Sequence, residues 1–141
     1  MFNNTISNQS LSPNFTLAEF THSQMAIERG ILNEPDAEQR EAIGQLVDHL
    51  LQPLRERIGE AIAITSGFRN QEVNRLVGGV PTSQHTKGEA ADCYCASGPE
   101  YLLQVLLDSG LPFDQAIVYR RKRFLHLSYR QGRCRKMVLY K

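Results

Sequence analysis

The 141-residue chain has no tryptophan, only three cysteines and almost no net charge. Sixteen basic against fifteen acidic residues give a formal charge of +1, so no global attraction to nucleic acid or to a membrane surface is expected. No hydrophobic run is long enough to cross a bilayer, and the Asn-rich start lacks the pattern of a signal peptide. These absences predict a protein made in the cytoplasm, with no nucleic acid partner and no membrane span.

The three cysteines, Cys93, Cys95 and Cys134, are an odd number, which argues against a disulfide framework. Cys93 and Cys95 flank a single residue in a predicted strand, so their side chains face the same way. They could bind a metal, but the favoured interpretation is a pair of small, buried, apolar side chains.

The order of the predicted elements indicates an α+β fold in one domain. Residues 1–12 form a predicted flexible arm, and residues 13–141 form the domain, which is expected to be a monomer. Thr16 and Glu19 match a capping box that begins the first helix, and Pro53 should kink the longest helix or begin a new turn. Strands are predicted at residues 61–65, 89–95, 113–119, 124–129 and 135–140. N-terminal helices should therefore pack on a mostly antiparallel sheet.

The stretch from Ser83 to Asp92 contains the strongest functional motif. It places His85 and Asp92 seven residues apart, with Gly88 allowing a tight turn between them, and His126 follows in a later predicted strand. Two imidazoles and one carboxylate suit a zinc ion that keeps one position open. The spacing alone is weak, because loop and strand histidines also serve simply as hydrogen-bonding groups.

The residues around this motif make it more specific. They include Thr65-Ser66-Gly67-Phe68-Arg69, Asn74-Arg75, Gly78-Gly79-Val80-Pro81, Leu111-Pro112-Phe113-Asp114-Gln115 and His126-Leu127-Ser128-Tyr129. Together with the motif they resemble the zinc D-alanyl-D-alanine carboxypeptidase family, over roughly Phe15 to Leu139. The most similar branch is the small bacterial and phage one, which is related to endolysins that cut L-alanyl-D-glutamate bonds.

This resemblance implies a function as well as a site. It implies that His85, Asp92 and His126 bind one zinc ion, and that the substrate is a stem peptide of bacterial peptidoglycan. The cut bond would be of the D-Ala-D-Ala or the L-Ala-D-Glu type. An enzyme of this kind would act at the cell wall, and the resemblance suggests that a phage or prophage encodes it.

The resemblance also assigns residues to the substrate. It implies that Arg69 grips the substrate near the scissile bond, which suits the forked donors of a guanidinium. The alternative for Arg69 is a structural salt bridge. Ser83 and Gln84 are predicted either to orient the first ligand or to contact substrate.

Arg123 departs from the family pattern. In much of the superfamily an acidic residue three places before the second histidine accepts a proton from the attacking water, and an arginine cannot do so. The nearby aromatic residue of the family, often Trp, is also absent. Asp114 is the candidate replacement, although an aspartate there could equally fix a turn. The alternatives to an active peptidase are a zinc-containing cell-wall-binding module without catalysis and a domain without metal.

Strand register decides whether Asp114 can serve. If the predicted strands 113–119 and 124–129 pair around a turn between Arg121 and Lys122, Ile117 faces His126 and Asp114 points away from the metal side. A one-residue shift reverses this. The other candidates for polarising the water or the carbonyl are Tyr119 and Gln115, and Glu89 ranks lower because it is predicted to face away from Asp92.

Overall fold

A computed structural model describes residues 9–141, and the first eight residues of the predicted arm lie outside this range. Its elements in chain order are β1 (Ser10–Ser12), β2 (Phe15–Thr16), α1 (Leu17–Thr21), α2 (Gln24–Arg29), α3 (Ala37–Leu46), α4 (Gln52–Ile58), β3 (Ala63–Ser66), α5 (Gln71–Leu76), β4 (Ala90–Tyr94), α6 (Pro99–Ser109), β5 (Gln115–Tyr119), β6 (Phe124–Ser128) and β7 (Met137–Tyr140). A π-helical turn, Val47–Leu51, joins α3 to α4, and a 3-10 turn, Gln84–Lys87, precedes β4. The predicted α+β class is confirmed.

The main sheet has the strand order β3-β4-β6-β5-β7. Neighbouring strands are antiparallel except β5 and β7, which run parallel, so the predicted mostly antiparallel sheet is also confirmed. The register brings the carboxyl ends of β3 and β6 and the amino ends of β4, β5 and β7 to one end of the sheet. Segments far apart in sequence therefore meet there.

Side chains of the central strands alternate between the core and the opposite face. Ala91 and Cys93 of β4 and Leu125 and Leu127 of β6 are fully buried in the hydrophobic core. Helix α6 packs on β5 and β6 and against α4, which covers this face. Because strand side chains alternate, Asp92 and His126, which pair across β4 and β6, project to the other face, away from the helices.

The cysteines behave as packing residues. Cys93 and Cys95 are buried and free, and Cys134 is free as well. Burial raises the pKa of both the Cys93 and the Cys95 thiols, so neither is readily ionised for metal binding. The prediction of two small buried side chains is confirmed.

The long helical segment accommodates Pro53 without breaking. The Gln52 N–H donates to the carbonyl of Val47, five residues back, so the helix widens just before the proline. A proline in the next turn lacks an N–H, and a wider turn relieves the clash of its ring with the preceding turn. Helix α4 begins there, at Gln52, in keeping with the predicted new turn.

The end of the predicted arm is paired rather than free. Ser10–Ser12 forms a small antiparallel pair with Phe15–Thr16. The buried Gln52 accepts hydrogen bonds from Ser12 Oγ at 2.6 Å and from the Asn14 N–H at 3.1 Å. This anchor was not predicted, because it joins residues about forty positions apart.

Candidate metal centre

Three side chains converge at one end of the sheet. Asp92 on β4 and His126 on β6 are direct partners in the register, and Nδ1 of His126 lies 2.9 Å from Asp92 Oδ1. His85, from the 3-10 turn before β4, places Nε2 3.3 Å from the same oxygen. The ligand atoms of the three residues lie within 4.8 Å of one another, close enough to hold one metal ion. The structure thus brings together the cluster that the sequence predicts.

The ring of His85 is fixed by a backbone carbonyl. Its Nδ1 lies 2.7 Å from the carbonyl oxygen of Gly67. Since a carbonyl only accepts, Nδ1 carries the hydrogen, and Nε2, which lies beside Asp92, is the ring nitrogen left to bind a metal ion. A hydrogen bond of this kind fixes the tautomer and orientation of a metal-ligating histidine. The His85 carbonyl in turn accepts from the Arg69 N–H at 3.1 Å.

Gly67 is required where the chain crosses helix α1. A side-chain carbon at this position would lie 2.6 Å from the Phe20 carbonyl oxygen and 2.7 Å from its Cα, closer than packing allows. The following residue, Phe68, donates its N–H to the same Phe20 oxygen. The glycine thus lets the loop lie against α1, and this contact positions the carbonyl that holds His85.

Replacing Gly67 with alanine should therefore weaken both the fold and the metal site. Overpacking against backbone should cost about 1–3 kcal/mol in the free energy of unfolding, measured by urea denaturation. Zinc affinity, measured by competition with a chelator, should fall about 10–100-fold because the support of His85 shifts. Gly44→Ala is the control, since a carbon added at Gly44 meets nothing within 4 Å. Unchanged zinc affinity in the Gly67 variant would contradict this role.

Gly88 makes the turn between the first two candidate ligands, as predicted. Its φ is +76°, a left-handed conformation that glycine tolerates, and an added side-chain carbon would collide with the Gln39 carbonyl. Gln39 also donates from Nε2 to the carbonyl of Thr86 at 3.2 Å. Helix α3 therefore supports the turn that carries His85.

The Asp92 carboxyl stays ionised in this setting. Burial by itself would raise its pKa, but hydrogen bonds and charge interactions with His126 and His85 outweigh burial and hold the pKa well below its usual range. A deprotonated carboxylate beside two imidazoles is a donor set that zinc favours.

Arg69 lines the cleft around the cluster and has an unused donor. Its Nη1 donates to Asn74 Oδ1 at 3.2 Å, while its buried Nε has no hydrogen-bond partner among residues 9–141. Burial lowers the pKa of the guanidinium, and the charge of Asp92 partly offsets this, so the group remains a cation. A buried donor without a partner is costly, and a bound ligand can satisfy it.

Asn74 is a residue whose role the sequence did not reveal. It is 1% exposed, it accepts from Arg69, and its Nδ2 donates to the Val80 carbonyl at 2.8 Å. Asn74 therefore orients Arg69 and ties it to the loop before the metal motif. The only hint in the sequence was that Asn74 belongs to the residues that resemble the family. The spacing of these residues did not indicate that Asn74 bonds to Arg69.

Ser83 and Gln84 stabilise the turn that carries His85. Ser83 Oγ accepts from the His85 N–H at 3.2 Å. Gln84 donates from Nε2 to Glu89 Oε1 and to Asp114 Oδ2, each at 3.1 Å. Both residues line the cleft, so they can hold the turn that carries His85 and also contact a substrate.

The cleft has a volume of about 500 Å³ and is rich in cations. Its basic residues are Arg69, Lys87, Arg130, Arg133 and Arg135, and its acidic residues are Glu89, Asp92 and Asp114. The three arginines that follow β6 in the sequence thus line the same cleft as Arg69. Their partners lie in segments distant in sequence, which is why composition did not reveal the arrangement.

Asp114 lines the cleft although the supposed register holds. Ile117 pairs with His126, the register in which Asp114 was expected to point away. Asp114 precedes β5, so strand alternation does not govern it. Its buried carboxylate accepts from Arg135 Nε at 2.7 Å and Nη2 at 3.1 Å. Burial would raise the pKa of this carboxyl, but the bonds from Arg135 lower it overall, which disfavours a role as a proton acceptor.

The expectation that Glu89 faces away from Asp92 is wrong. Glu89 lies just before β4, and the cleft contains both side chains. The Glu89 carboxylate accepts a hydrogen bond from Gln84. Its other oxygen, Oε2, lies 3.8 Å from the Nε of Arg130. Glu89 therefore keeps acceptor capacity that Asp114 lacks.

Arg123 lies in the exposed turn between β5 and β6, with a positive φ of 59°. It does not line the cleft. His49 is exposed and stacks on Tyr129 with ring centroids 5.2 Å apart.

Comparison with known proteins agrees with this geometry. No curated protein matches the sequence significantly. Among the described residues, no helix is long and apolar enough to cross a membrane. A family model described as peptidase M15 matches residues 13–128, a range that contains the whole candidate metal centre and Arg69. The chain therefore belongs to the peptidase M15 family.

Proposed function

We propose that this protein is a zinc-dependent peptidase that hydrolyses a peptide bond in the stem peptides of bacterial peptidoglycan. The observation that carries the proposal is the convergence of His85, Asp92 and His126 within 4.8 Å, in a cation-rich cleft of about 500 Å³. Membership of the peptidase M15 family supports the same chemistry.

The donor set fits zinc. His85 would bind the ion through Nε2 and His126 through Nδ1, and Asp92 supplies a carboxylate held in its ionised form. Two neutral imidazoles and one carboxylate leave a position open in a tetrahedral zinc site. When bound there, zinc supplies a Lewis acid that polarises the scissile carbonyl and acidifies a water molecule.

Arg69 is proposed to position the substrate. Arg69 lines a ligand-sized cleft, and a guanidinium binds a carboxylate or a polarised carbonyl through parallel donors. Asn74 fixes the guanidinium in advance, so less conformational entropy is lost on binding.

Glu89 is proposed to accept the proton of the attacking water, and Asp114 to position its neighbours. The Asp114 carboxylate is occupied by Arg135 and Gln84, so it was a plausible base in sequence but is a poor one in this setting. Glu89 also lines the cleft, and its carboxylate accepts one side-chain hydrogen bond, from Gln84 at 3.1 Å. Gln84 links the two carboxylates and holds Glu89 in place.

The finer assignments remain those that the resemblance implies. We propose that the enzyme is a monomer of the small bacterial and phage branch, that it acts at the cell wall, and that it cuts either a D-Ala-D-Ala or an L-Ala-D-Glu bond. Residues 13–141 are proposed to form its zinc peptidase-like domain.

Digestion of purified peptidoglycan tests the proposal. We expect soluble products with zinc and none after chelation, with activity restored by added zinc. Mass spectrometry separates the two bonds, since a carboxypeptidase releases free D-alanine and an endopeptidase frees the stem from its L-alanine. Activity that is insensitive to chelation, or no zinc-dependent product at all, would contradict the proposal.

A zinc-containing module that binds cell wall without cutting it is the second candidate. The observation that favours it is Arg123, which stands where an acid is expected and lies outside the cleft. Cosedimentation with peptidoglycan distinguishes the two candidates, because this module would bind the wall with zinc present and release no product.

A further inference from the structure

We propose that Arg133 and Arg135, aided by Arg130, form a second anion-binding subsite that holds a substrate carboxylate remote from the scissile bond. The proposal rests on the proposed function and narrows its substrate class. The preferred substrate would be a stem peptide with a free carboxylate on a residue other than those joined by the cut bond.

The topology places cations on both sides of the metal centre. Arg69 follows β3, at one edge of the sheet, and the three arginines lie between β6 and β7, the strand at the opposite edge. Asp92 and His126 lie on the strands between these edges. All of these residues line the same cleft. A peptide that crosses the metal centre would therefore meet Arg69 on one side and the second group of arginines on the other.

Arg135 is held ready for a ligand. Asp114 Oδ1 accepts from its Nε at 2.7 Å and from its backbone N–H at 3.2 Å, and Asp114 Oδ2 accepts from its Nη2 at 3.1 Å. Within residues 9–141, Nη1 of Arg135 makes no hydrogen bond. A guanidinium clamped along one edge can offer its remaining donor at little entropic cost.

The charges that remain in the cleft favour an anion. Asp114 is neutralised by Arg135, and Asp92 would be neutralised by a bound zinc ion. Arg133 is exposed and forms no ion pair within the described part of the chain, and Arg130 makes only a long contact with Glu89. The whole chain carries a charge of only +1, so the excess of cations is a local property of the cleft.

Binding and kinetics with matched peptides test the subsite. Synthetic stem peptides would have each carboxylate remote from the cut bond replaced in turn by a carboxamide. We expect one of these carboxamide peptides to bind the metal-free protein about tenfold more weakly than the parent peptide does. This is the effect of losing one charge-assisted hydrogen bond. With zinc, KM should rise by a similar factor while kcat changes little.

Variants identify the residue that reads the carboxylate. Arg133→Gln should weaken binding of the carboxylate peptide about tenfold and remove its advantage over the carboxamide. Arg121→Gln is the matched control, because Arg121 is exposed and does not line the cleft. Arg135 is left intact in this test, since its loss would leave the buried Asp114 carboxylate without its ion-pair partner.

The outcomes separate this proposal from the proposed function. Equal binding of all the peptides, or no effect of Arg133→Gln, overturns the subsite whether or not cleavage occurs. Carboxylate-dependent binding without zinc-dependent cleavage keeps the subsite and overturns the peptidase. Binding of no peptide at all overturns the subsite as well.

Discussion

Replacing His126 with alanine should remove the metal and, with it, hydrolysis. Nδ1 of His126 is one of the three ligand atoms that the described residues bring together, and its loss leaves a histidine and a carboxylate. Changing only a supporting hydrogen bond lowers metal affinity or activity about 10–100-fold, and loss of a ligand should exceed this. The zinc content measured by elemental analysis should fall from one ion per chain to a small fraction of that. Release of soluble peptidoglycan fragments should be undetectable.

His49→Ala is the matched control for this variant. His49 is exposed, stacks on Tyr129 and does not line the cleft, so its removal should leave zinc content and hydrolysis unchanged. Circular dichroism would establish that both variants fold. A folded His126→Ala protein that keeps stoichiometric zinc would show that the ion binds elsewhere.

Glu89→Gln should produce the second-largest effect, on kcat rather than on metal binding. Glutamine keeps the shape of the side chain and an oxygen that can accept from Gln84, but it cannot take a proton. General-base catalysis contributes about 10²–10⁴-fold to a rate, so kcat on a stem peptide should fall within that range. Zinc content should be unchanged, because Glu89 lies outside the three-residue cluster.

Asp114→Asn is the comparison that distinguishes the two carboxylates. Asparagine retains an acceptor for Arg135 but loses the charge, so we expect a weakened contact with Arg135, a raised KM and a smaller fall in kcat. The opposite pattern, a large loss of kcat in Asp114→Asn and little change in Glu89→Gln, would restore Asp114 as the base that the sequence favoured.

Local rules predicted much of the fold. The capping box at Thr16 and Glu19 and the α+β element order follow from spacing and turn chemistry over a few residues, and the structure contains both. The supposed pairing of Ile117 with His126 also holds, because a short turn between adjacent strands fixes their register. These features depend on neighbours in sequence.

The predictions that failed concerned residues at strand ends. Glu89 and Asp114 each precede a strand by one residue, so the alternation used to orient them does not apply. Both carboxylates meet at Gln84, and this meeting depends on how β4 and β5 are placed in the sheet. Single-strand reasoning cannot supply that placement.

The sequence by itself identified the three candidate ligands and the metal chemistry that they favour, and its resemblance to a known family implied that Arg69 contacts the substrate. It could do so because ligand types and short motifs are encoded locally. Only the tertiary structure decided that the Gly67 carbonyl fixes His85, that Arg135 occupies Asp114, and that basic residues from both edges of the sheet share one cleft. Each of these contacts joins segments that are distant in sequence, and their positions depend on the packing of the whole domain.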